Sequence, residues 1–96
     1  MERSRILGIV YEVMKELNEG LEDEKKLELN ENTKLFGSDS NLDSIGLVNL
    51  IVGVEQRILD ELGIEMDLTD EKAMSQVRSP FKTVSSLVDY ICSLGG

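Results

Sequence analysis

Between Asp43 and Leu62 the apolar residues recur at three- and four-residue steps and fill an arc wider than a surface helix needs. At about 100° per residue they separate into two groups. Leu47, Leu50, Ile51, Val54, Ile58 and Leu62 form one face, suited to a core. Ile45, Val48, Val52 and Leu59 form a second stripe beside it, while Gly46, Asn49, Gly53 and Asp60 fall on the remaining side. Two arrangements satisfy this pattern. The helix is either buried on two sides at the centre of a bundle, or buried on one side with the second stripe left as a docking surface or the border of an acyl-sized pocket.

The flanking segments supply partners for such a helix. Ile6, Ile9, Val10, Val13, Met14 and Leu17 predict an amphipathic helix over 3–18, with Asn18 and Gly20 as stop signals. Residues 21–42 are polar and rich in turn formers, yet Leu27, Leu29, Leu35 and Phe36 punctuate them. A connection that long is expected to be ordered, with those residues plugged into the core. Gly63 ends the central helix, and Ile64 to Leu68 reads as a short extended stretch. Thr69 followed by Asp70 and Glu71 predicts a short helix over 70–76. Beyond Ser79-Pro80, Thr83 is placed to cap a last helix over 83–94, with Val84, Leu87, Val88, Ile91 and Leu94 at helical spacing. The expected fold is all-α, a single domain (1–96) of three main helices and one short one.

Composition narrows the chemistry. At 96 residues the chain has enough length for one core. Its net charge of -9 repels nucleic-acid phosphates and anionic membranes, and favours partners with basic patches. No histidine is present, so a Ser-His-Asp triad, a Cys-His pair and a His-ligated metal are all unavailable. Cys92 is the only cysteine, which removes an internal disulfide and a cysteine zinc site, and its position suggests a small core residue. With no apolar run of transmembrane length and no leader pattern, the expectation is a cytoplasmic monomer without enzymatic activity, metal, nucleic-acid partner or membrane insertion.

The informative run is Asn41-Leu42-Asp43-Ser44-Ile45-Gly46-Leu47-Val48. Asp and Ser are both good helix caps, so the pair alone signals a helix start. A serine at such a junction is also well placed for modification by a phosphodiester, because the first N–H groups and the positive end of the helix dipole favour an anion.

With these flanks the chain resembles the acyl carrier protein family across nearly its whole length. The likeness lies in Asn32-Thr33-Lys34-Leu35-Phe36-Gly37, Leu42-Asp43-Ser44-Ile45, the helix holding Glu55, Gly63-Ile64-Glu65-Met66, Asp70-Glu71, and Thr83-Val84-Ser85-Ser86-Leu87-Val88-Asp89-Tyr90-Ile91. The resemblance implies a four-helix bundle. It also implies that Ser44 bears a covalent 4′-phosphopantetheine, transferred from coenzyme A by a holo-carrier synthase that Asp43 helps to engage. The terminal thiol of that arm would hold an acyl cargo, passed among acyl-loading and acyl-transfer enzymes of fatty-acid, specialised lipid or polyketide-type biosynthesis. Ile45, Val48, Val52, Glu55 and Gln56 would face those partners.

Gly46 and Asn49 stand where the family usually has acids, and Gln56 follows Glu55 where a second acid is common. Recognition then shifts from charge toward apolar contact, as expected of a specialised member. The run Leu42 to Gly46 is also similar to D-alanyl carrier proteins, so an aminoacyl or peptidyl-type carrier is an alternative, as is an acidic helical interaction module with no prosthetic group. Two other patterns fail on their own terms. Asp39-x-Asn41-x-Asp43 begins like a calcium loop, but Ser44 takes the glycine position and Leu50 the closing glutamate. Leu94-Gly95-Gly96 resembles the tail of ubiquitin-like modifiers, which require strands where this chain predicts helices.

Overall fold

A computed structural model of the chain describes residues 2–35, 44–65 and 83–95. Among them are three α-helices: α1 (Arg3–Asn18), α2 (Ser44–Leu62) and α3 (Val84–Gly95). A 3₁₀ turn at Asp23–Lys25 and an isolated antiparallel bridge between Lys34 and Thr83 complete the regular structure of these residues. The short helix expected over 70–76 lies outside the described residues, as do Phe36 and Asp43.

Helix α1 is the shared partner, packing against both α2 and α3. Its buried residues Ile6, Ile9, Val10, Val13 and Met14 are the periodic set read from the sequence. They meet Leu47, Leu50, Ile51, Val54 and Ile58 of α2 and Val84, Leu87, Val88 and Ile91 of α3 in one cluster. Intrinsic helix propensities differ by about 0.7 kcal/mol or less among ordinary residues. Burying one Ile, Leu or Met contributes about 1.5–3 kcal/mol, so packing decides where these helices form. Leu62 is only partly buried at the edge of this cluster.

The connection after α1 is pinned at two depths. Leu27 and Leu35 are buried in the same core, whereas Leu29 is exposed, contrary to its expected role as a plug. Asn18, at the last turn of α1, clamps Leu27: its side-chain amide donates to the Leu27 carbonyl (3.0 Å) and its carbonyl oxygen accepts from the Leu27 N–H (2.8 Å). One side chain in the last turn of the helix thus fixes the first apolar anchor of the loop.

The start of α3 satisfies each of its first four backbone N–H groups, which have no partner within the helix itself. Val84 and Ser85 donate to the loop carbonyls of Thr33 (3.0 Å) and Glu31 (2.9 Å). Ser86 donates to Thr83 Oγ1 (3.1 Å), and Leu87 then makes the first bond of the helix itself, to the Thr83 carbonyl (3.0 Å). The Thr83 N–H in turn donates to Ser86 Oγ (2.9 Å), a reciprocal cap with serine in the role usually given to Glu or Gln.

Two glycines, one within α2 and one just after it, have distinct work. Gly63 adopts φ 68° and donates to the Leu59 carbonyl (3.0 Å), stopping the helix in a left-handed conformation that costs other residues about 1–2 kcal/mol. Gly53, grouped by periodicity with the polar side, instead touches α1. A Cβ there would sit 2.8 Å from Val13 Cγ1. Val13 is β-branched and stiff in a helix, so it cannot swing aside.

This contact reverses a common expectation. Replacing a helical glycine by alanine ordinarily stabilises by about 1 kcal/mol, but overpacking costs about 1–3 kcal/mol. Gly53→Ala is therefore expected to be neutral to destabilising, by up to about 2 kcal/mol. Gly8→Ala, with nothing within 4 Å of its new Cβ, should stabilise by about 0.5–1 kcal/mol. Urea unfolding of both variants measures the difference, and a stabilised Gly53→Ala would contradict the close approach of α1 and α2.

Candidate functional site

Ser44 is the first residue of α2, at the end of the helix where backbone N–H groups point outward along the axis. Its neighbour Asp43 lies outside the described residues. From Ser44 the helix runs for 19 residues, and the packing around it sorts its surface into three strips. Leu47, Leu50, Ile51, Val54 and Ile58 enter the core. Gly53 and Arg57 face α1, through Val13 and through an ion pair between Arg57 and Glu16. The remaining strip carries the second apolar stripe.

That stripe is exposed. Ile45 is 72% accessible, Leu59 49%, and Val48 and Val52 37% each. The helix is thus buried on one face rather than two. Of the large apolar side chains that are exposed among the described residues, only Leu29 and Leu94 lie elsewhere. Gln56 is exposed beside the stripe and Glu55 is half-buried. Four of the five residues expected to face partners are thus accessible, with Glu55 partly so.

Charge is distributed unevenly along α2. No charged residue occurs from Ser44 to Val54, in a chain whose charged fraction is 30%. Charge begins at Glu55 and continues through Arg57, Asp60, Glu61 and, past the helix, Glu65. Arg57 is engaged with Glu16, toward the end of the stripe. There Glu55, Gln56, Leu59 and Glu65 line a shallow cleft.

A second polar cluster is structural. Arg3 donates through Nε to Asp89 (2.7 Å), through a terminal nitrogen to Ser85 Oγ (2.9 Å), and also pairs with Glu31. The hydrogen bonds to Asp89 and then Glu31 hold its guanidinium still further above the usual arginine range. Because arginine is already always charged, the effect is cohesion among α1, the loop and α3 rather than titration. Sequence reading found neither this hub nor the Asn18 clamp. Asn18 was visible as a stop signal, but its pairing with Leu27 follows only from the path of the loop.

Cys92 is half-buried against the core, as its position suggested, and Leu94 is exposed near the chain end. Among the described residues no group of three or more Cys, Asp or Glu is placed to hold a metal, and no helix is long and apolar enough to cross a membrane. The distinguishing surface is the neutral, apolar start of α2 behind Ser44.

If that surface is free rather than structural, polar substitution there should spare the fold. Leu59→Gln is expected to change stability by less than about 1 kcal/mol, whereas Leu50→Ala, at a fully buried position, should cost about 2–5 kcal/mol. Equal losses in chemical denaturation would place Leu59 in a core.

No family model, curated protein or solved structure matches the chain, so the meaning of this surface rests on its own residues.

Proposed function

We propose that the chain is an acyl carrier protein of a specialised kind, a four-helix domain bearing 4′-phosphopantetheine on Ser44 and having no catalysis of its own. The observation that carries the reading is the placement of Ser44 as the opening residue of a long helix with an exposed apolar stripe directly behind it. The residues fit the group: a serine supplies the hydroxyl for a phosphodiester, and the helix N-terminus favours the resulting negative charge. When attached, the arm supplies a terminal thiol that holds cargo as a thioester. Ser44 would anchor the arm, Asp43 would help a holo-carrier synthase engage, and Ile45, Val48, Val52, Glu55 and Gln56 would present the chain to that synthase and to acyl-handling enzymes.

The rigidity behind the site supports the same role. A carrier must offer its serine in one orientation to several enzymes in turn. Here α2 is fixed by its core face and by the α1 contact at Gly53. The scarcity of acids along the first part of the helix supports a specialised cargo over the housekeeping fatty-acid role, and an aminoacyl cargo falls within the same chemistry. A second reading draws on the exposed stripe alone: a helical interaction module with no prosthetic group.

Incubation with coenzyme A and a broad-specificity phosphopantetheinyl transferase separates the two. Intact mass should rise by one phosphopantetheine in the wild type and stay unchanged in Ser44→Ala. No rise in either protein would favour the interaction module.

A further inference from the structure

Between Leu27 and Leu35, both in the core, residues 28–34 bury no side chain: Glu31 and Thr33 are half-buried and the rest exposed. The stretch is nevertheless built, because it satisfies its own polar groups. The Asn30 and Thr33 N–H groups donate to the Glu28 and Asn30 carbonyls (3.0 and 3.1 Å). The Asn32 N–H donates to Asn30 Oδ1 (2.8 Å), and Thr33 Oγ1 donates to the Glu28 carbonyl (2.8 Å). None of these bonds reaches another element, so the turn keeps its shape whether or not it is seated.

What seats the turn is polar and lies at the surface. The carbonyls of Thr33 and Glu31 accept from the N–H groups of Val84 (3.0 Å) and Ser85 (2.9 Å), beside the Lys34–Thr83 bridge. Arg3 spans this seam from the start of α1: it pairs with the Glu31 carboxylate and holds Asp89 (2.7 Å) and Ser85 Oγ (2.9 Å) on α3. We propose that residues 28–34 form a strap, hinged at Leu27 and Leu35 and latched by Arg3, that lifts as one unit from the first turn of α3 while the three-helix core stays folded. Lifting breaks both backbone bonds together, so Val84 and Ser85 lose their acceptors in one event. The Asn18 clamp on Leu27 and the burial of Leu35 confine the motion to the stretch between them.

Magnitudes favour this local opening over a global one. Unfolding exposes the whole apolar cluster of α1, α2 and α3. Lifting the strap exposes no buried side chain, and it gives up two hydrogen bonds and exposed ion pairs, each of small net value once water replaces the partner. Such segments open at the low end of a protein's range of local stabilities. Because Arg3, Glu31 and Asp89 are all exposed, dissolved salt screens the latch, and ionic strength sets how often the strap lifts. The proposal is independent of the carrier reading.

Amide hydrogen exchange of the full chain, followed by NMR under conditions that report opening equilibria, is the test. Val84 and Ser85 should share one degree of protection, at least about tenfold below that of Ile51 and Val54 in the middle of α2. Ile58→Val, at a fully buried position, should speed exchange at Ile51 and Val54 about two- to tenfold. It should leave Val84 and Ser85 unchanged, because the core persists when the strap is lifted. Arg3→Gln weakens only the latched state and should speed Val84 and Ser85 about threefold or more, with Glu31→Gln as a second variant of the same latch. Raising NaCl from about 0.05 to about 0.5 M should speed the same two amides about twofold in the wild type and have no such effect in Arg3→Gln. Acceleration of Val84 and Ser85 by Ile58→Val to the same extent as the core would mean that only global unfolding frees them. That result, or unchanged exchange of these amides in both latch variants, would overturn the proposal.

Discussion

The seating of α1 against α2 at Val13 and Gly53 is the contact on which the rest of the arrangement depends. It brings the two backbones close enough for Ile6, Val10 and Met14 to reach the same core as Leu50, Val54 and Ile58. It also fixes the rotation of α2 about its axis. With the core on one side and α1 on the next, the stripe of Ile45, Val48, Val52 and Leu59 is left exposed. The exposed surface is therefore a consequence of packing elsewhere, and no local feature of the stripe keeps it out of the core.

The loop between α1 and α2 contributes in a different way. Its described part borrows order from both ends: Asn18 holds Leu27 at one, and the carbonyls of Glu31 and Thr33 complete the first turn of α3 at the other. Arg3 links the same loop to α3 and to its own helix. These polar contacts are largely at the surface, where ion pairs contribute little individually. Their value is geometric. They bind a turn-rich segment to the helices while Leu27 and Leu35 supply its apolar anchorage.

Periodicity made most of the helical core legible, because burial and three-to-four spacing are the same physical fact seen twice. The buried sets of α1 and of the core face of α2 follow that spacing closely, and Thr83 was recognisable as a cap from its place before an apolar run. Three features escaped it. Gly53 was grouped with the polar side, because a glycine reports no side-chain preference and its close approach to Val13 exists only in three dimensions. Leu29 is apolar but exposed, since in an irregular loop no period relates one residue's direction to the next. The stripe on α2 satisfied two arrangements equally, and the choice depended on where α1 lay. For the candidate site, the serine at a helix start was visible in the sequence, whereas the exposure of its flanking surface required the fold.

What joins these observations is a helix that opens with Ser44 and leaves an uncharged apolar face exposed behind it. The central claim is that this serine carries a covalent arm in the cell. Its most direct test is tandem mass spectrometry of the full-length protein isolated from the cells that make it. The account predicts a chain heavier by phosphopantetheine, with the arm released on fragmentation and the modified peptide containing Ser44. A protein of unmodified mass under conditions where its pathway is active, or an arm located on any other residue, would contradict it.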